Sequence, residues 1–172
     1  MEGFDFILKL NESIRKRLLE QAEFGQPPAI PVLTEDRSDF AKEIEKNLMK
    51  TLGFCVVVAT PEVYAGSTPN EEVLKIIVNL SENPVLNQSA SGSRIKCNEG
   101  ALRAKYALLH WTPPPTEWVE FSPMEPFGDS PVMVLAQAPN QQNPLLSYQI
   151  ILMVRVVIEV EDDPQKALSG TP

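Results

Sequence analysis

At 172 residues the chain has the size of one domain, and 43% hydrophobic with 22% charged residues is ordinary globular usage, which excludes wholesale disorder. Fifteen Lys and Arg against 23 Asp and Glu give a formal net charge of -8, which argues against nucleic acid as the primary ligand because binding to phosphates needs cations. The apolar run at 150–160 contains Arg155 and Glu159 and is too short for a membrane helix, so we expect no membrane partner.

Two amphipathic helices are predicted in the first third of the chain. Over 6–22, apolar residues recur at steps of three and four, with charged residues between them. After a short extended piece at 29–34, Ser38 or Asp39 is placed to cap a second helix, and Gly53 is placed to end it. The apolar residues of that second helix recur every four positions: Phe40, Ile44, Leu48 and Leu52.

Two strands follow the second helix. The run at 54–60 is rich in β-branched residues and apolar on both faces, which is typical of a buried central strand, and Val57 is expected to be buried. Pro61 interrupts regular pairing, and a polar loop leads to 73–80, where every second residue is apolar. The two strands are predicted to form an antiparallel hairpin with a long tip.

The middle of the chain alternates loop and helix signals. Asn, Pro, Ser and Gly dominate 83–93, which predicts a mobile loop. Asn98 is expected to cap a third helix that ends before the prolines at 113–115. The predicted apolar set of this helix is Ala101, Leu102, Tyr106 and Leu109.

The last third of the chain predicts short strands at 118–121 and 132–138 and one long strand at 148–160. At ~3.3 Å per residue the long strand would extend about 40 Å, so we expect a bend, a bulge or an end that projects toward a partner, with Val154 buried. The acidic stretch at 161–172 is predicted to be disordered. The pattern indicates a single α+β domain over 1–160, with a mainly antiparallel sheet and about three helices packed against it.

The sequence contains no recognisable catalytic or metal-binding motif. His110 is the single histidine and follows two leucines at a predicted helix end, where a histidine commonly packs or satisfies a terminal carbonyl. Cys55 and Cys97 lie far apart and match no zinc or redox spacing, so both are expected to be free thiols, with Cys55 in the core. We therefore expect no catalytic residues, no cofactor and no metal, and a protein that is not an enzyme.

Two groups of apolar residues are candidates for contacts with other subunits. Trp111 and Trp118 flank the proline run, where they either anchor an interface or pack the proline-rich connection against the sheet. On the second face of the last strand, Ile151, Met153 and Val157 form an apolar surface. A chain in water is expected to cover such a surface with its own helices or with another subunit.

Over 4–159 the order of elements resembles phage tail-terminator and minor-tail proteins. The segments that carry the resemblance are VNLSENP at 78–84 leading to Asn87, ALLHW at 107–111, and LSY at 146–148. The resemblance implies a ring, commonly a hexamer, that caps the tail tube and presents a surface to the head-tail connector, without enzymatic activity. The chain departs from the simplest members by the additional helix at 38–52 and by the proline-containing stretch at 113–131.

This family reading sets the expected partners and location. The partners would be further copies of the chain, tail-tube protein and head-tail connector proteins. The first six residues carry acids where a signal peptide carries bases, so we expect a cytoplasmic protein during assembly. The resemblance implies that it then becomes a virion component. The alternative is an intracellular small-ligand-binding or enzymatic α+β domain with a pocket near Tyr106, His110, Trp111 and Trp118.

Overall fold

The described strands, eight in number, form one mixed sheet on which the fold is built. A computed structural model describes residues 5–21, 24, 30–89, 95–128, 132–135 and 145–158, without the side chains of 88–89 and 132–135. The elements in chain order are α1 (Asp5–Leu19), β1 (Val32–Thr34), α2 (Phe40–Glu45) with a π-helical continuation (Lys46–Thr51), β2 (Phe54–Val58), β3 (Glu62–Ala65), β4 (Glu71–Glu82), α3 (Pro84–Ser89), α4 (Cys97–Leu108), β5 (Val119–Phe121), β6 (Glu125–Pro126), β7 (Val132–Leu135) and β8 (Leu146–Ile158).

Strands β4 and β8 form the centre of the sheet. They pair antiparallel in one continuous register, from Glu71 opposite Val157 to Glu82 opposite Leu146. The edge of β4 that faces away from β8 pairs with two shorter strands placed one after the other, β2 and β3. The far edge of β8 pairs in the same way with β7, β6 and β5. The register of β8 with β4 is continuous through Val157, so a bulge there is wrong, whereas the end of the predicted strand at 159–160 lies outside the described residues and its projection stays a prediction.

The predicted α+β class is confirmed, and two details of the sheet differ from the prediction. The sheet is mixed, because β1 pairs parallel to β2 while the other described pairs are antiparallel. The predicted pairing of 54–60 with 73–80 is confirmed, and so is a loop containing Gly66 and Pro69 before β4, but this loop does not begin directly after Pro61. Glu62–Ala65 forms β3 on the same edge of β4, so only the short stretch 59–61 separates β2 from β3.

One face of the sheet, which we call the core face, carries the helices α1 and α4. The eight apolar side chains at the centre of this face are all 0% exposed, which confirms the burial predicted for Val154. α4 approaches closely through Gly100 and small neighbours; a Cβ at Gly100 would meet the Phe54 ring at 3.1 Å. The side chains that define the core face are Leu74, Ile76, Val78 and Leu80 of β4, and Ile150, Leu152, Val154 and Val156 of β8.

The second helix covers the opposite face of the sheet, and only at β2. There Leu48 packs with Cys55 and Val57 in a small separate cluster, as predicted for Val57 and Cys55. Gly53 ends the π-helical turn with a φ of 67°, which confirms its predicted role as a helix stop. The predicted side-chain cap from Asp39 is not formed.

Two predictions for the helical regions are wrong. The first part of the predicted loop at 83–93 is helix α3, because Asn83 Oδ1 accepts hydrogen bonds from the amides of Val85 at 3.2 Å and Leu86 at 3.4 Å. The third helix begins at Cys97, but it buries Ala101, Ala104, Ala107 and Leu108 while Leu102 and Tyr106 are exposed.

Residues 90–94 of that loop and the acidic stretch at 161–172 lie outside the described residues, so the disorder predicted for them stays a prediction. Among the helices of the described ranges, none has both the length and the apolar character needed to cross a bilayer.

Candidate interaction surface

The two tryptophans singled out by the sequence have different surroundings. Trp111 is partly buried and packs against the main core, and its backbone carbonyl accepts a hydrogen bond from Met124 N at 2.9 Å. Trp118 is 48% exposed in a turn closed by a hydrogen bond from Thr116 N to Val119 O. Trp111 therefore packs within the chain, which is one of the two predicted alternatives. Trp118 has the exposure that an interface anchor needs.

The other three candidates, Ile151, Met153 and Val157, lie together on the side of β8 that α1 and α4 do not cover. Ile151 and Met153 are half-buried, and Val157 is 47% exposed. We call this side of β4 and β8 the open face. Its residues are Glu71, Val73, Lys75, Ile77, Asn79 and Ser81 on β4, and Ser147, Gln149, Ile151, Met153, Arg155 and Val157 on β8.

Polar pairs link the two strands at the Asn79 end of the open face. Gln149 Nε2 donates to Asn79 Oδ1 at 2.9 Å, and the hydroxyls of Ser81 and Ser147 lie 3.2 Å apart. Both pairs join residues directly opposite each other in the register. This end of the face is thus hydrogen-bonded within the chain and offers little unpaired apolar surface.

An aromatic and charged cluster occupies the middle of the open face. The rings of Tyr64 and Phe127 are 6.0 Å apart, and Lys75 Nζ lies 5.5 Å from the Phe127 ring centre. Glu62 accepts hydrogen bonds from the Tyr64 hydroxyl at 2.6 Å and from Lys75 at 3.0 Å, and these bonds lower the pKa of its carboxyl group. Phe127 comes from the β6 side and Tyr64 from β3, so the cluster spans the sheet.

The end of the open face around Val157 has exposed apolar and acidic groups together. Glu71 of β4 and Glu120 of β5 lie opposite Val157 on its two sides, so all three side chains share one face. Trp118 immediately precedes β5 and lies at the same end of the sheet. We call Glu71, Glu120 and Val157 the Val157 patch. In this patch a half-exposed valine lies between two carboxylates.

A second exposed apolar site on α4 was not identified from the sequence as a surface. Tyr106 is 70% exposed and Leu102 is 48% exposed, one helical turn apart. Lys105 Nζ lies 5.6 Å from the Tyr106 ring centre. The signal available in the sequence was the Ala-rich stripe at 101, 104 and 107, which marks the buried side of α4 and leaves Leu102 and Tyr106 outside.

His110 lies in the turn that follows α4, and it contributes to this turn through its backbone. Trp111 N donates to Leu108 O at 3.0 Å, and Leu109 and His110 have the backbone angles of a type II β-turn, with a φ of 62° at His110. The imidazole is exposed, so the packing expected for it is wrong, while the amide of His110 donates to Met124 O at 2.8 Å. The structure therefore places this side chain outside the core.

The two thiols are buried and resist ionisation. Burial raises the pKa of Cys55 from 9.0 to about 12. The pKa of Cys97 also rises to about 12, mainly through burial and then through the nearby charge of Glu82. Glu82 is itself buried, and its carboxylate accepts from Asn87 Nδ2 at 2.6 Å and from Cys97 N at 2.8 Å. This cluster ties β4 to the beginning of α4.

A shallow groove of about 420 Å³ lies between α1 and the proline-rich connection. Leu8, Glu12 and Lys16 line one side, and Pro114 and Phe121 are on the other. None of the four residues expected around a ligand pocket, Tyr106, His110, Trp111 and Trp118, lines this groove. Within the described ranges, no three or more His, Cys, Asp or Glu side chains are grouped as metal ligands would be.

Comparison with known proteins finds no protein-family model that matches the chain and no curated protein that matches it.

Proposed function

We propose that the chain is a non-enzymatic structural protein of a phage or prophage, similar to tail terminators. It forms a ring at the end of the tail tube and contacts head-tail connector proteins. The favoured count is a hexamer, because rings in the family that the sequence resembles are commonly hexameric. The protein would be cytoplasmic during assembly and part of the virion afterwards.

The observation that carries this proposal is the open face of the sheet. α1 and α4 cover the core face, and the second helix covers the opposite face only around Cys55 and Val57. The β8 side of that face keeps Val157 half-exposed and Ile151 and Met153 half-buried. Exposed apolar surface that adjoins polar groups is a common feature of protein–protein contact sites. Association with another subunit would remove it from water.

Within the part of the chain that the structure describes, no specific observation favours the ligand-binding alternative. Its expected pocket lies around His110 and Trp111, whereas the groove lies beside α1, and Trp111 packs against the core. His110 is exposed at a turn.

The experiment is to measure the mass of the purified chain by light scattering and native mass spectrometry over a wide concentration range. Electron microscopy with tail-tube protein then tests for rings at tube ends. We expect an oligomer, with six copies favoured. A chain that stays monomeric at high concentration and does not bind tube ends would contradict the proposal and favour the ligand-binding alternative.

His110→Gln serves as the matched variant in the same assays. Because the imidazole is exposed and the backbone holds the turn, we expect unchanged folding and unchanged assembly. Loss of all binding with intact folding would mean that the imidazole takes part in function, against the non-enzymatic proposal.

A further inference from the structure

We infer that copies of this chain associate head to tail, with the outer side of α4 in one copy against the Val157 patch of the next. This inference rests on the proposed self-association and names the two surfaces that meet. Both surfaces consist of described residues, and each has an apolar centre beside charged groups.

The outer side of α4 provides the first surface. Leu102 and Tyr106 are neighbours on one side of the helix, and their exposures of 48% and 70% are high for side chains of this size. The opposite side of α4 is fixed on the sheet by Ala101 and Ala104, which are 0% exposed. The helix therefore cannot turn Leu102 and Tyr106 inward without losing that packing.

The two surfaces have opposite charge. Residues 96–106 carry three cations and one carboxylate, a net charge of +2. Glu99 pairs with Arg103 at 2.7 Å, and Lys105 lies beside the Tyr106 ring. The Val157 patch has Glu71 and Glu120 on either side of its valine, and these two carboxylates outnumber the one cation beside them, the exposed Arg155 two residues before Val157 on the same face. Such complementarity gives orientation and specificity to an association in addition to the burial of apolar groups.

The same charges disfavour a symmetric contact between two sheets. If two Val157 patches met, Glu71 and Glu120 of one copy would face the same carboxylates of the other, and like charges brought together in an interface are unfavourable. Two α4 surfaces would likewise bring cations together. A contact between α4 and the Val157 patch avoids both costs. Because the two surfaces lie on opposite sides of the sheet, the contact repeats from copy to copy and generates a ring when the rotation closes.

Crosslinking between two single-cysteine variants tests this geometry. Tyr106→Cys and Val157→Cys are prepared with different affinity tags, mixed, and treated with a short bismaleimide. The two native thiols are buried, and burial keeps their pKa at about 12, so they contribute little background reaction. We expect crosslinks in the mixture between differently tagged chains and at least tenfold less crosslinking within either variant alone.

Charge reversal provides an independent measurement. Lys105→Glu and Glu120→Lys are each expected to weaken association about tenfold, and the double variant is expected to recover most of that loss. Lys50→Glu is the matched control, because Lys50 is an exposed lysine on the π-helical turn and pairs with Glu45 at 2.7 Å, away from both surfaces. It is expected to leave association unchanged.

The outcomes separate the inference from the proposed function. Light scattering on the same samples measures whether an oligomer forms. If an oligomer forms but Val157→Cys crosslinks to itself, or neither variant crosslinks, the head-to-tail contact is wrong and self-association still stands. A monomer under all conditions would overturn both.

Discussion

The two faces of the β4–β8 pair differ although they belong to the same strands. On the core face, Ile76 and Leu152 stand opposite each other and are 0% exposed. On the open face, their neighbours Lys75 and Ile151 are half-buried. Both faces share the same backbone and the same strand pairing. What differs is the layer above: two helices on one side and a few side chains on the other. The difference indicates that the core face contributes most of the stability of the fold.

The largest effect should come from removing apolar groups on the core face. Leu152→Ala is expected to lower the free energy of unfolding by about 2–5 kcal/mol, because it removes burial and leaves a cavity in the main core. Ile151→Ala, the adjacent residue on the open face, is expected to cost about 1 kcal/mol because part of its side chain is already in water. Denaturant melts of both variants measure the difference.

Equal losses for the two variants would contradict the comparison, since they would mean that the open face is as well packed as the core face. Val154→Ala and Val57→Ala extend the test, because Val154 belongs to the main core and Val57 to the small cluster. Each is expected to cost about 1–3 kcal/mol, the first more than the second.

A smaller effect concerns a polar side chain within the apolar layer. Asn11 of α1 is 0% exposed, and neither polar atom of its side chain has a hydrogen-bond partner among the described residues. An unpaired buried amide is destabilising, so Asn11→Leu, which is similar in volume, is expected to raise the free energy of unfolding by about 1–3 kcal/mol.

Asn47→Leu is the matched control for this substitution. Asn47 is also buried, but its Nδ2 donates to Glu43 O at 2.7 Å, so its replacement should lower stability by about 1 kcal/mol. If Asn11→Leu is destabilising to the same degree, then a buried water satisfies Asn11 and the layer is not dry there.

The thiols test whether the second helix excludes water from its side of β2 as well as the main core does. For Cys55, beneath that helix, and for Cys97, beside the core, the folded-state pKa of about 12 lies above the ordinary 9.0. The folded protein therefore holds these protons more tightly, and stability is full below about pH 9 and falls as pH rises toward 12.

Urea melts between pH 8 and 10.5 should show this decline, and Cys55→Ala should make it shallower. A thiol reagent should label both cysteines only upon unfolding. Rapid labelling of Cys55 in the native protein would show that the second helix does not seal its side of the sheet.

The smallest effect is expected for the polar pair on the open face. A double-mutant cycle with Asn79→Ala and Gln149→Ala should give a coupling energy of about 0.2–1 kcal/mol, as is usual for cross-strand pairs. A coupling well above 1 kcal/mol would mean that the hydrogen bond is shielded from water, and the open face would then be less accessible than its half-exposed residues indicate.

The sequence predicted the strands well because their signal is local. The alternation in 148–160 identified β8 and the burial of Val154, and the β-branched run at 54–60 identified β2. β3 was missed because its four residues are all exposed and show no apolar pattern. β3 pairs with the same edge of β4 as β2 does, after the interruption at Pro61, and no local sequence pattern specifies this pairing.

The helices were harder to predict, for two physical reasons. In α3, Asn83 and Pro84 suit a loop as well as the cap and first position of a helix, so their composition was ambiguous. In α4, the buried side is made of alanines, which allow close approach to the sheet but give a weak hydrophobic signal. The larger Leu102 and Tyr106 dominated the pattern, and the α4 surface was missed.

The pairing of β4 with β8 also sets an order of events during synthesis. β4 ends at Glu82, and its central partner begins only at Leu146, so an emerging chain holds one completed half of the sheet while the other half is still being translated. Over that interval the inner edge of β4 has unpaired backbone groups that can pair with a neighbouring nascent chain. Contacts between segments so distant in sequence also form slowly. Ribosomes that release the chain before β8 would therefore yield a fragment with β2, β3 and β4 but without its central partner, and such fragments should be cleared by proteolysis or should aggregate.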